Sequence, residues 1–367
     1  MTRFSTRIAR ALGATAIASW LFVWPAAAHV DYVTEDGGTG SAAELFRTVL
    51  TDPVSLAVLG AGGLAVGGLT AAYLRFASSV PDIEVARRTL QSYRPYLPWL
   101  LRLSVGLPLV GAGFAGYLFS PSVPADARLL QVGIGFFLLF GLATRVVAAV
   151  GLVAYLAALA GDLTLLLASE YVAGFLAIVI VGPGQPSADM LLRRLVVTDG
   201  TVASRFRGLT TPKSLLSRLG VDGTAVPLVV RTFLGANFVF LGVTQKWLEP
   251  AQAAAVVGKY DLTAVVPVSP ELWVFGAGLV EVGVGLAFLS GTFTRGAAAA
   301  GFLLLTTTLF GLPDDPVLAH VTLFGLSSAL LVTGSGRLSL DASLIPALRH
   351  RLDPALDSAS DGRPAAD

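Results

Sequence analysis

Long apolar runs separated by short polar stretches repeat along almost the whole chain. A helix needs about 20 apolar residues to cross a bilayer. The runs predict nine spans, at 54–74, then 97–119, 123–143, 146–168 and 170–183, then 227–247, 271–290, 296–311 and 317–333. The expected fold is therefore an all-α membrane protein: two tandem four-helix transmembrane bundles plus one extra N-terminal transmembrane helix.

The two groups of four carry similar sequences. Gln131–Arg145 aligns without a gap on Glu281–Arg295, sharing Val, Gly, Gly, Leu, Gly, Thr and Arg. Arg102–Pro121 aligns on Arg231–Pro250, sharing the Arg, Gly106/Gly235, Val110/Val239, Gly113/Gly242 and the final Pro. Gly182 to Asp189 corresponds to Gly334 to Asp341. In both, Gly stops a membrane helix and Ser caps an interfacial helix. An internal repeat of this length sets the architecture, with repeat one at 97–195 and repeat two at 227–345. Four helices per unit return the chain to its starting side, so the repeats run parallel, unlike the inverted repeats of many transporters.

The polar stretches divide the rest. Residues 1–28 read as a signal peptide, with Arg3, Arg7 and Arg10 before an apolar run and Pro25-Ala26-Ala27-Ala28 as the cleavage context. Residues 29–96 hold an extracytoplasmic segment, the extra helix and a basic loop. A linker occupies 196–226, preceded by an amphipathic helix near 188–198, and a polar tail occupies 346–367. Basic residues favour the cytoplasmic side. That rule leaves Arg47, Arg128, Lys246 and Lys259 outside and the other basic residues of the mature chain inside, so the mature N-terminus is expected outside and the C-terminus in the cytoplasm.

Composition narrows the chemistry. Only 13% of residues are charged against 54% hydrophobic, about half the charge of a soluble domain. Net charge is +1, which gives no electrostatic case for nucleic acid. There is no Cys and there are three His, which removes thiolate chemistry and makes a multi-His metal centre hard to build. No phosphate-binding loop, HExxH or haem-attachment motif occurs.

The repeats differ at polar positions. Pro108, Gly116, Tyr117 and Gln131 stand where repeat two has Asn237, Gln245, Lys246 and Glu281. Glu281 falls near mid-bilayer, where a charge costs about 3 kcal/mol or more and normally faces the bundle interior with a partner. It reads either as a proton-handling or ligand-contacting carboxylate or as a carboxylic acid hydrogen-bonded across two helices. Arg102, Arg145, Arg231 and Arg295, at inner helix ends, read as positive-inside anchors, with Arg145 and Arg295 also placed to meet lipid phosphate. Trp247 reads as a belt residue. Asp314, Asp315 and His320 gather at the outer side, as a polar turn beside an interfacial His, as a carboxylate pair with a His that could bind a metal, or as a proton site if His320 approaches Gln245 and Lys246.

Three marks in repeat two resemble the DoxX family of small four-helix membrane proteins. They are the opening Arg-x-x-x-Gly helix running to Gln245-Lys246, then Glu281-Val-Gly-Val-Gly through Gly291-Thr-Phe-Thr-Arg295, and the closing Thr333 to Asp341 stretch. The resemblance implies a membrane component of respiratory redox chemistry, such as a subunit of a thiosulfate:quinone oxidoreductase or quinol oxidase. On that implication Glu281 and His320 are the catalytic candidates, and Asn237, Gln245 and Lys246 the substrate-binding ones. Quinone is the implied ligand, with no covalently bound cofactor, so electrons would come from a redox partner protein or a diffusible donor. The residues alone leave two other readings open, a non-catalytic membrane scaffold subunit and a small-solute transporter.

Overall fold

The computed structural model describes residues 40–76, 80–125, 128–206 and 222–352. The expected signal peptide, much of the linker and the end of the tail lie outside the described residues. Within them every regular element is helical. In chain order these are α1 (Ala42–Thr51), α2 (Pro53–Phe76), α3 (Pro81–Ser92), α4 (Leu97–Ala115), α5 (Arg128–Phe140), α6 (Thr144–Gly161), α7 (Glu170–Val181), α8 (Ala188–Val197) and α9 (Val226–Leu241). They continue with α10 (Pro250–Lys259), α11 (Leu262–Val265), α12 (Pro270–Ser290), α13 (Thr294–Gly311), α14 (Val317–Thr333) and α15 (Leu340–Leu352).

All nine apolar runs form helices. Five helices are long and apolar enough to cross a membrane: α2, α3 continued into α4, α6, α9 with its extension, and α12. Helices α5, α7 and α14 are apolar but shorter. Thr306, Thr307 and Thr308 together with Arg295 dilute α13. The first unit is α4 to α7 and the second is α9 with α12 to α14.

The four helix-end arginines do not reach outward as anchors; they tie each unit together from inside. Arg145 donates from Nε to the Val179 carbonyl (2.9 Å) and from Nη2 to those of Ile180 and Val181. Arg295 does the same at the end of α14, to Leu331 and Val332. The last turn of a helix leaves carbonyls without intrahelical partners and carries partial negative charge, so a guanidinium satisfies both. Arg102 is buried and donates to the Pro186 carbonyl. Arg231, equally buried, donates to Phe288, Leu289 and Leu338. Apolarity alone could not have distinguished these roles, because the partners are backbone atoms distant in sequence.

An aspartate completes each tie. Asp189 accepts the N–H groups of Ala143 (2.6 Å) and Thr144 (2.9 Å), while its own N–H donates to the Gly141 carbonyl. Asp341 accepts those of Phe293 (2.6 Å) and Thr294 (3.0 Å) and donates to Gly291. Each carboxylate thus caps the following helix from a distance. The residues it holds, Ala143 and Phe293, both sit at φ 48°, a left-handed conformation unfavourable to side chains. Gly141 and Gly291 have φ 68° and 65°, and a Cβ on either would collide with Arg102 or Arg231 respectively.

Within the units, small residues permit backbone contact. A Cβ on Gly235 would lie 2.7 Å from the Gly285 carbonyl oxygen, and the reverse holds at the same distance. Gly106 and Gly135 make the corresponding contact between α4 and α5. Such pairs let membrane helices approach where lipid supplies no hydrophobic drive.

The units join crosswise. Helix α4 packs on α14, and α7 on α9. At the first seam a Cβ on Gly325 would overlap Ser104, and Thr322 donates to the Ser104 carbonyl (3.0 Å). One apolar core containing Leu101, Leu109, Phe175, Leu234, Phe288 and Leu326 runs through both units.

Two parts of the chain depart from expectation. The polar segment before α2 contains α1, and the stretch after Lys246 folds into α10 and α11 rather than a simple loop. Leu45 and Val49 of α1 bury against Ala253 and Val257 of α10 and Leu272 and Phe275 of α12. Trp247, expected in an aromatic belt, packs in this cluster instead. It stacks with Phe275, meets Phe46 edge-on and donates to the Phe275 carbonyl.

Asp341→Ala is expected to cost about 1–2 kcal/mol, the usual loss of a helix cap. Gly291→Ala combines left-handed strain with a collision and is expected to cost more, on the order of 3 kcal/mol. Thermal unfolding in detergent checks both; an unchanged melting temperature in Gly291→Ala would refute the tie.

Candidate functional site

The polar positions that distinguish the second unit start from one local change. In the first unit, α4 stops at Gly116, which adopts φ 87° and caps the helix. The aligned residue of the second unit is Gln245, which has no such freedom. There the helix runs on as a π-helical turn over Gly242–Leu248. π turns shift the side-chain register and are frequent at functional sites. This one carries Thr244, Gln245, Lys246 and Trp247, with Gln245 buried. Neither apolar periodicity nor spacing signals a π turn, although the Gly116/Gln245 difference was visible in the aligned repeats.

A cavity of about 90 Å³ opens beside this turn, room for several waters. Its polar lining is Gln245, Lys246, Glu281, Thr308, Asp315 and His320. Its apolar lining includes Phe238, Leu304, Leu305 and Leu323, and Val256 of α10 bounds it as well. Five elements distant in sequence thus bring four of the five candidate residues to one space.

Glu281 lies near the middle of α12. Its Oε2 is buried and has no hydrogen-bond partner among the described residues. Lys246 is close enough for its charge to act on the carboxylate. The first unit's counterpart, Gln131, is fully occupied. Its Oε1 accepts the Phe119 N–H (3.0 Å), and its Nε2 donates to the carbonyls of Leu109 and Tyr117. A carboxylate could not make those donations, so the amide secures the loop after α4 while Glu281 faces a cavity.

His320 is buried, with Nε2 3.3 Å from Asp315 Oδ2 and Nδ1 3.3 Å from the Pro316 carbonyl oxygen. Both neighbours are acceptors unless Asp315 is protonated, and a neutral imidazole donates from one nitrogen only. Asp314 turns the other way. It forms an ion pair with Lys259 (3.0 Å) and accepts the Tyr260 hydroxyl (2.9 Å). The adjacent carboxylates thus serve different partners, and no group of three or more potential metal ligands forms among the described residues.

Asn237 does not join the cavity. It is fully buried at the seam, and its Nδ2 donates to the Leu167 carbonyl (3.1 Å), Ser169 Oγ (3.1 Å) and Glu170 Oε2 (3.4 Å). A polar residue on the second unit's first helix thus reaches the first unit. The aligned differences between the repeats do not single out Glu170. It lies at the start of α7, buried beside Tyr171. Its signal was a carboxylate within a long apolar stretch, the same signal that marked Glu281.

The Lys259–Asp314 pair fastens α10 to the loop before α14. Hydrogen bonds from Lys259 and then Tyr260 hold the Asp314 carboxyl below its ordinary range. The hydrogen bond to Asp314, then that to Tyr260, raises Lys259. The carboxylate's contribution is present above the ordinary carboxylate pKa and is lost as pH falls through the lowered one. The lysine's is present below its ordinary pKa and is lost only as pH rises through the raised one. Amide hydrogen exchange in α10 is therefore expected to accelerate as pH falls below the ordinary carboxylate range in the wild type, relative to the core helices. Asp314→Asn should show the faster exchange already at neutral pH; equal exchange in both proteins would refute the fastening. Separately, Asn237→Ala is expected to cost about 1–3 kcal/mol by leaving buried groups at the seam unpaired, read as a lower melting temperature.

A family model described as DoxX matches residues 226–314, which covers α9 to α13 and includes Gln245, Lys246 and Glu281. Comparison with curated proteins gives no match, and comparison with solved structures gives none. The protein is an integral membrane protein whose second unit contains a region, residues 226–314, that matches the DoxX family model.

Proposed function

We propose that the protein is the membrane subunit of a quinone-linked oxidoreductase and that the cavity of the second unit receives the quinone head group. The observation that carries this reading is the convergence of Gln245, Lys246, Glu281 and His320 on one space walled by Phe238, Leu304, Leu305 and Leu323. A head group is a flat apolar ring with two carbonyl oxygens, and the wall offers both apolar surface and donors. Full reduction to the quinol takes two electrons and two protons. Glu281 and the Asp315–His320 pair are the proton-handling groups in this scheme, and Gln245 and Lys246 orient the carbonyl oxygens. The electrons come from a redox partner protein or a diffusible donor, since the chain has no motif for a redox cofactor of its own.

The same reading places the protein in the cell membrane with its arginine-rich helix ends and C-terminus on the cytoplasmic side, following the bias of basic residues. It also takes the two units as copies of one ancestral four-helix unit, supported by the matching arginine–aspartate ties. The first unit then acts chiefly as the rigid neighbour against which the second is built.

Purified protein in nanodiscs should bind a quinone analogue saturably. Glu281→Gln and His320→Ala are each expected to weaken binding about 10-fold or more, the loss of a hydrogen bond to a charged group. Asn237→Ala, at the seam, should leave it nearly unchanged in folded protein. Correctly folded wild type that binds no analogue would sink the reading and favour a scaffold subunit.

A further inference from the structure

Where α2, α3, the start of α13 and the end of α14 meet, positive charge accumulates beyond what the helix tie needs. Arg295 donates to the Leu331 and Val332 carbonyls, and Arg94 donates to the next one, Thr333 (3.2 Å). Two guanidiniums therefore share one turn of α14. Arg87 on α3 is also within electrostatic range of Arg295. Two carboxylates lie nearby, fewer than the arginines, and Asp341 acts on Arg295 as Asp189 does on Arg145. Glu84 is divided between Arg87 and Arg88, both at 2.6 Å, and Asp341 is held by the Phe293 and Thr294 N–H groups. The equivalent arginine of the first unit, Arg145, has the matching carboxylate Asp189 as its charged neighbour among the described residues. The tie thus forms without added arginines, and bringing like charges together costs energy unless an anion offsets it.

We propose that this corner seats the head group of an anionic phospholipid, with Arg87, Arg94 and Arg295 around its phosphate. Each guanidinium has five N–H donors, and Arg94 spends one on Thr333. Arginine donors in this number suit the several acceptor oxygens of a phosphate. The neighbouring surface fits the rest of a lipid. Helix α2 is apolar and exposed over most of its length, with Leu64, Val66 and Leu69 outward. Its end meets the corner through Tyr73, whose ring packs edge-on against Phe293 at 5.5 Å. Acyl chains along α2 bring the phosphate to the arginines, which a soluble anion cannot exploit.

The test is native mass spectrometry of the full chain in detergent, titrated with phosphatidylglycerol or phosphatidylcholine. Wild type is expected to retain phosphatidylglycerol in preference. Arg87→Gln and Arg94→Gln should each lower that retention about fivefold. Arg87 is 54% exposed and its pair with Glu84 lies at the surface, so its removal leaves the fold intact even if Arg94→Gln loosens α14. Arg193→Gln, on α8, should have no effect. Equal retention of both lipids overturns the proposal, and so does an equal loss in Arg193→Gln, which would mean diffuse surface charge. Displacement of the lipid by millimolar inorganic phosphate also overturns it, in favour of a soluble anion.

Discussion

The exposed carbonyls at the end of a membrane helix are the constraint on which this fold turns. In each unit the fourth helix stops at a glycine and leaves its last carbonyls without intrahelical partners. An arginine from the start of the third helix satisfies them, at Arg145 and Arg295. Once that arginine is fixed, the tight turn before it is forced into a left-handed residue, and Asp189 or Asp341 holds it there. A second arginine, from the first helix, braces the same region from inside. The first, third and fourth helices and the interfacial helix are thereby joined at one end, within an apolar medium where unpaired backbone groups are expensive.

With one end fixed, the opposite end is free to differ. In the first unit Gly116 stops the helix and Gln131 secures the loop that follows. In the second the helix unwinds into a wider turn, the carboxylate opposite is left facing a cavity, and α10 bounds that cavity through Val256. The polar-lined cavity thus sits at the end that the ties do not constrain. The single carboxylate–amide difference between Glu281 and Gln131 separates a cavity wall from a structural staple.

Much of this organisation was legible in the chain. Each apolar run forms a helix, five of them long and apolar enough to cross a membrane, and the recurrence of Arg102, Arg145 and Asp189 as Arg231, Arg295 and Asp341 marked the positions of the ties. Their roles were not legible, because a charge at a helix end looks the same whether it meets water, lipid or a carbonyl 36 residues on. The cavity was partly legible, since Glu281, Gln245, Lys246 and His320 stood out as polar groups in apolar surroundings. Asn237 stood out for the same reason yet serves the seam, because its direction is set by where α9 lies against α7. Helix α10 was missed because its short, Ala-rich pattern carries no strong apolar period, and its stability comes from packing against α1 and α12 rather than from its own sequence.

The crosswise seam has a consequence for how the protein is made. Ser104 of α4 and Thr322 of α14 meet although they are 218 residues apart in the chain. During synthesis the first unit emerges with a Gly- and Ser-lined face whose partner has not yet been translated. That face must wait in lipid, which solvates apolar side chains but offers no competing hydrogen bonds to strand it. The apolar side of α1 likewise finds its cover only when α10 and α12 arrive. The ribosome thus delivers the docking surfaces first and their closing partners last, and final assembly is a late event in the life of the nascent chain.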